Sequence, residues 1–249
     1  MSCVPAPEHP NPVVLIHGTY ANASMFTQMA SHLRGQGYCI YAVNYGREPL
    51  SPYGTADLME SSQEVAAFID SVLEETGAEK VDLVAHSQGA LHAKNYVSRF
   101  GNADEVGRVV TLGGNLHGTT LNGTAVFSLL WSTLLPTFTS LVSSPAAIQQ
   151  VAGSPTMVEA NSYPDTAAGV TYTSLVSSLD TVVTPNSASF FEAVPGANVA
   201  NLDAQAACSP AIPITHPYMP THRTMIALTQ WGLERPLDEV VPGPEDCRA

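Results

Sequence analysis

Val81-Asp82-Leu83-Val84-Ala85-His86-Ser87-Gln88-Gly89 decides the fold. Its first five residues form a short run rich in aliphatic and β-branched side chains, as a buried strand requires. Beyond Ser87 the pattern turns helical, predicting a helix over 88–100 that stops at Gly101. A serine at such a strand-to-helix turn stands with its hydroxyl exposed above the sheet, and small neighbours let strand and helix approach. Gly is usual at the first flank; here Ala85 adds one methyl group, which the crossing helix must accommodate. Ser and Gly at this spacing are common by themselves. Their place between strand and helix makes Ser87 the candidate nucleophile, the alternative being a serine that only caps the following helix.

Outward from this turn, strands and helices alternate. Pro12-Val13-Val14-Leu15-Ile16 and Tyr38-Cys39-Ile40-Tyr41-Ala42-Val43 read as buried strands, and between them Met25, Phe26, Met29 and Leu33 recur at helical spacing before Gly35 and Gly37. Asp57 is placed to cap a helix whose Leu58, Val65, Ile69, Val72 and Leu73 share one face, ending at Gly77. Further strands are expected at 108–112, 170–176 and 197–202. The alternation predicts an α/β fold with a mainly parallel central sheet and helices on both faces, in one domain over 1–249.

The chain has 249 residues, 45% of them hydrophobic, enough for a large core. A net charge of -13 with nine Lys plus Arg repels phosphate backbones, which excludes nucleic acid as a partner. From 109 to 158 there is no Asp, Glu, Lys or Arg. The serines and threonines inside that stretch, and Pro136, argue against a membrane span. Cys3, Cys39, Cys208 and Cys247 form no CxxC spacing, so a disulfide framework in an exported protein is expected. Proximity along the chain favours Cys3 with Cys39 and Cys208 with Cys247; four free buried thiols are the alternative. Met1-Ser2-Cys3-Val4-Pro5 lacks the basic and apolar regions of a signal peptide, and the expectation is an extracellular protein whose export signal has been removed.

A serine hydroxyl becomes a nucleophile when an imidazole takes its proton, and the imidazole needs a carboxylate to fix its tautomer. In this type of fold the acid follows the serine and the histidine follows the acid. Asp180 is the leading acid because it comes just after a predicted strand, on the rim where Ser87 lies. Asp165 and Asp203 are weaker candidates. His216, in a Pro-flanked loop, and His222, at the start of a terminal helix, both qualify as the base, and loop placement favours His216. His17 and His86 are expected to support the site, and His9, His32, His92 and His117 to be surface or packing residues without metal-ligand spacing. The oxyanion formed on attack needs backbone N–H donors. Gln88, after the nucleophile, supplies one, and the loop His17-Gly18-Thr19 supplies the second, with the Thr19 hydroxyl as an additional donor.

Taken together, the chain resembles the secreted bacterial class 2 triacylglycerol lipases of the α/β-hydrolase superfamily. The matching segments are Pro12-Val13-Val14-Leu15-Ile16-His17-Gly18-Thr19, Gly37-Tyr38-Cys39, Asn44-Tyr45-Gly46, Ala85-His86-Ser87-Gln88-Gly89, His117-Gly118-Thr119, Gln149-Gln150 with Gly153-Ser154, and Asp180-Thr181-Val182-Val183-Thr184-Pro185. The resemblance implies Ser87, Asp180 and His216 as a catalytic triad, Thr19 and Gln88 as oxyanion donors, both disulfides and no cofactor. Pro217-Tyr218 after the histidine, and His92, depart from the family's pattern and leave acyl-chain specificity open.

Residues 119–158 then read as a cap or lid, with Phe127, Leu130, Trp131, Leu134, Leu135 and Phe138 facing the acyl chain; a buried helix pair is the alternative. The expected function is extracellular hydrolysis of acyl esters such as triacylglycerols by a monomer that adsorbs transiently to a lipid–water interface. A polyester or cutin hydrolase with an open groove is one rival, and a non-catalytic lipid-binding protein another.

Overall fold

The computed structural model describes residues 3–124 and 144–248. Six strands, β1 (Val13–Ile16), β2 (Ile40–Val43), β3 (Val81–His86), β4 (Val106–Leu112), β5 (Thr171–Val176) and β6 (Asn198–Asp203), form one sheet in the order β2-β1-β3-β4-β5-β6. Every pairing is parallel. The chain steps outward from β1 to β2 and then returns across β1 to β3. The carboxyl ends of β1 and β3 therefore flank the point where the connections diverge, the usual place for a site in such a sheet.

Among the described residues the α-helices are α1 (Thr27–Gly35), α2 (Leu58–Thr76), α3 (Gly89–Lys94), α4 (Pro145–Gln149), α5 (Pro155–Ala160), α6 (Ala204–Cys208) and α7 (Arg223–Glu234). Strand periodicity divides the core into two layers. Val13 and Leu15 of β1 pack with Phe26, Met29 and Leu33 near α1 and with Met225, Leu228 and Trp231 of α7. Val14 and Ile16 pack on the other face with Val65, Ile69 and Val72 of α2 and Ala90 and Ala93 of α3. Asp57 caps α2 as its position predicts, its carboxylate accepting from the N–H groups of Met59 at 2.8 Å and Glu60 at 3.1 Å.

The helix expected over 88–100 is regular only to Lys94. Asn95–Arg99 widens into a π-helical turn, with the Phe100 N–H reaching the Asn95 carbonyl at 2.8 Å. At that turn the Asn95 amide donates to Ser62 Oγ and the Tyr96 hydroxyl reaches Asp70 and Glu105. These anchors fix the wider turn, and apolar spacing carries no trace of them.

Disulfides join Cys3 to Cys39 and Cys208 to Cys247, across sequence separations of 36 and 39 residues. Each loop closure is worth about 4 kcal/mol in the chain-entropy account. Among the described residues no helix is long and apolar enough to cross a membrane. Of the 119–158 segment, Thr119 and Val151 form a parallel bridge, while Phe127, Leu130, Trp131, Leu134, Leu135 and Phe138 lie outside the described residues.

Candidate active site

Ser87 follows directly on β3 with φ of 56°, the left-handed region that a side chain normally avoids. Such a conformation persists only where its surroundings enforce it. Here the Ser87 N–H donates to the Leu112 carbonyl at 3.1 Å, and the Ser87 carbonyl accepts from the N–H groups of Ala90 at 3.1 Å and Asn115 at 3.0 Å. The backbone is thereby tied to β4 and to the loop after it, and the side chain projects into a cleft.

In that cleft Ser87 Oγ lies 3.0 Å from His216 Nε2, while His216 Nδ1 donates to Asp180 Oδ2 at 2.7 Å. Asp180 Oδ1 accepts from the N–H groups of Val182 at 2.7 Å and Val183 at 3.1 Å. Both carboxylate oxygens are thus occupied, which sets the orientation of the carboxylate and, through it, the imidazole tautomer. The three residues come from the carboxyl end of β3, the turn after β5 and the loop after α6, and all are buried.

His86 reaches the same loop from below. Its Nε2 is 3.0 Å from the His216 carbonyl and acts as the donor, and the two rings are 4.7 Å apart. Burial, and secondarily the nearby His216, push its pKa well below the ordinary imidazole value, so it stays neutral and adds no charge against an imidazolium on His216. His17 is likewise neutral: burial lowers its pKa to about 4, and its Nδ1–H donates to the Gly18 carbonyl at 2.8 Å. Its ring stacks on Tyr45 at 4.3 Å, and the Tyr45 hydroxyl donates to the His17 carbonyl at 2.5 Å.

Gly18 allows this loop to come close to Ser87, since a Cβ there would lie 2.8 Å from Ser87 Cβ. Among the described residues no acceptor engages the N–H of Thr19 or of Gln88. The Thr19 hydroxyl accepts from Gln150 Nε2 at 2.8 Å and faces Gln88 Oε1 at 3.4 Å. Accepting from Gln150 occupies a lone pair of the Thr19 hydroxyl and leaves its proton on the long contact to Gln88.

The other candidates have structural occupations. Asp165 bridges Lys94 at 2.7 Å and His117 at 2.8 Å; burial would raise its pKa, but these two partners hold it below the ordinary carboxylate value. Asp203 caps α6, and His222 caps α7 by accepting from the Thr224 N–H. His92 is buried against Ser62 Oγ at 2.7 Å. Among the described residues no His, Cys, Asp and Glu group is arranged to hold a metal ion.

Sequence patterning did not pick out Asn115, which lines the cleft, and Gln150, which also lines it, entered only within the matching segment Gln149-Gln150. For Asn115 a signal exists in Gly113-Gly114-Asn115, a glycine pair directly after the strand that neighbours β3. The cleft above Ser87 is about 490 Å³ and is lined by Thr19, Met25, Leu121, Val182, Val183 and Pro217 among others, a mainly apolar wall around one polar centre.

The family model described as lipase (class 2) matches residues 10–189. The chain belongs to the class 2 lipase family. Among solved structures, this class 2 lipase chain superposes on Aspergillus fumigatus lipase B with a TM-score of 0.71 at 20% identity, covering 94% of this chain and 53% of that one. Against Bacillus licheniformis lipase BlEst2 in its propeptide form the TM-score is 0.67 at 18% identity, over 92% and 52% of the two chains. The mature form of BlEst2 gives 0.59 at 20% identity, over 81% and 86%. The class 2 lipase chain thus spans about half the length of the first two, and at these identities what they share is the fold, that of the α/β-hydrolases.

Proposed function

We propose that the protein is an extracellular carboxylic ester hydrolase that cleaves acyl esters, triacylglycerols among them, through an acyl-enzyme on Ser87. The observation that carries this is the continuous relay from Ser87 Oγ through His216 to Asp180, at 3.0 Å and 2.7 Å, opening into a largely apolar cleft. Ser87 Oγ attacks the ester carbonyl carbon while its proton passes to His216 Nε2, and Asp180 stabilises the imidazolium. The negative oxygen meets the Thr19 and Gln88 N–H groups, each worth about 3 kcal/mol of transition-state stabilisation. Breakage of the carbon–oxygen bond releases the alcohol with the proton from His216. A water molecule, deprotonated by the same ring, then attacks the acyl-serine; the acyl–Oγ bond breaks, the acid is freed, and His216 returns the proton to Ser87 Oγ.

Two disulfides and membership of the class 2 lipase family support an oxidising, extracellular setting. The test is the rate on p-nitrophenyl esters of increasing acyl length, dissolved and emulsified. A lipase favours the longer chains and gains on emulsions. Equal or faster hydrolysis of acetate, with no gain on emulsions, makes the protein a plain esterase.

A further inference from the structure

Gln150, at the carboxyl end of α4, lines the catalytic cleft with its side chain almost fully buried. Its Nε2 donates to Thr19 Oγ1 at 2.8 Å and to the Ala146 carbonyl at 3.0 Å, and its Oε1 accepts from Asn115 Nδ2 at 3.3 Å. Asn115 in turn donates from its backbone N–H to the Ser87 carbonyl at 3.0 Å. One side chain therefore links the oxyanion loop after β1 to the backbone of the nucleophile.

That link has a chemical purpose. Thr19 and Gln88 are far apart in sequence, and an oxyanion hole works only when its two donors keep a separation fixed to a fraction of an ångström. The direct tie between them, Thr19 Oγ1 to Gln88 Oε1, is long at 3.4 Å and correspondingly weak. The Gln150 contact at 2.8 Å is the stronger polar hold on the Thr19 side chain. The geometry points to Gln150 as a positioning residue that aims the Thr19 N–H at the oxyanion, acting through the Thr19 hydroxyl. It rests on the acyl-transfer assignment above.

The preceding residue supplies an internal contrast. Gln149 Nε2 donates to Asp57 Oδ2 at 2.5 Å, and its Oε1 accepts from the Leu58 N–H at 2.8 Å. It fastens α4 to the start of α2 and makes no side-chain hydrogen bond to the oxyanion loop.

The experiment measures ester hydrolysis and inhibition by an alkyl boronic acid for wild type, Gln150→Leu, Thr19→Val, the double variant and Gln149→Leu, with Ser87→Ala as blank. Gln150→Met replaces Gln150→Leu if the latter does not fold. Gln150→Leu lowers kcat about 10- to 100-fold, the loss expected from a misaimed donor, with little change in KM. Boronate affinity, which reports on the tetrahedral state, falls by the same factor. In the Thr19→Val background the same change costs less than about 3-fold, because the two act as a unit. Gln149→Leu lowers the melting temperature and leaves kcat intact. Full kcat in Gln150→Leu, an undiminished loss in the Thr19→Val background, or an equal kcat loss in Gln149→Leu would each overturn the assignment of Gln150 alone. An inert wild type, or an active Ser87→Ala, would remove the ester-hydrolase assignment and this role with it.

Discussion

The hydroxyl of Ser177 donates to the carbonyl of Ile214 at 2.7 Å, joining the turn that carries Asp180 to the loop that carries His216. Ser177 also shapes its own turn: its Oγ accepts from the Leu179 N–H at 3.1 Å, and its carbonyl from the Asp180 N–H at 2.9 Å. Asp180 and His216 are thus tied to each other through this contact as well as through their own hydrogen bond. Ser177→Ala leaves a buried carbonyl and an N–H without their partner, and lowers stability by about 1–3 kcal/mol. It also lowers kcat about 10-fold with KM unchanged, since Asp180 and His216 lose their common reference. Urea unfolding and steady-state kinetics on one preparation check both effects, and an unaltered kcat would mean that the two loops are positioned independently.

Gly113 lies beneath the same pair, with φ of 53°, and a Cβ there would stand 3.0 Å from Asp180 Oδ2, 3.1 Å from His216 Nδ1 and 2.9 Å from Met219 Sδ. Left-handed backbone costs an L-residue about 1–2 kcal/mol, and the added methyl group pushes directly on the Asp180–His216 hydrogen bond. Gly113→Ala therefore reduces kcat about 100-fold, far more than its loss of stability explains. Rates measured well below the variant's melting temperature separate the two effects.

Stability depends on pH with a sign set by the buried histidines. His17 falls to a pKa of about 4 and His92 to about 3, and His86 lies well below the ordinary value of 6.5, in each case chiefly through burial. Below about pH 6.5 the unfolded chain binds protons that the folded one refuses, so stability drops on acidification by up to about 1.4 kcal/mol per pH unit for each group. Asp82 opposes them: burial raises its pKa to about 6, so the folded form holds its proton longer and gains relative stability as pH falls from 6 towards 4. Three groups outweigh one. The melting temperature is expected to rise from pH 4.5 to 6.5 and then level off, and Asp82→Asn to steepen the rise. A melting temperature flat or falling over that range contradicts the balance.

Strand and helix order, the parallel sheet and both disulfide pairings were legible in the sequence because each rests on local periodicity or on proximity along the chain. The position of Ser87 was legible for the same reason, as the β3–α3 turn has a local signature. The contacts of Asn115, Ser177 and Gln150 were not, although Gln149-Gln150 stood out as a matching segment, because they are hydrogen bonds to residues 28 to 131 positions away. No spacing rule reports such pairings. The π-helical turn after Lys94 escaped similarly, its cause being polar anchors on α2 and beside β4.

The most direct measurement exposes the folded protein to a fluorophosphonate and follows both the modified residue and ester turnover in wild type and Ser87→Ala. One adduct on Ser87 is expected, together with a fall in kcat of about 10⁴- to 10⁶-fold in Ser87→Ala at unchanged melting temperature. Asp180→Asn should lose about 10⁴-fold, the magnitude known for the corresponding change in a serine protease. An adduct on another residue, or Ser87→Ala turning over ester at a rate near that of wild type, would contradict the account.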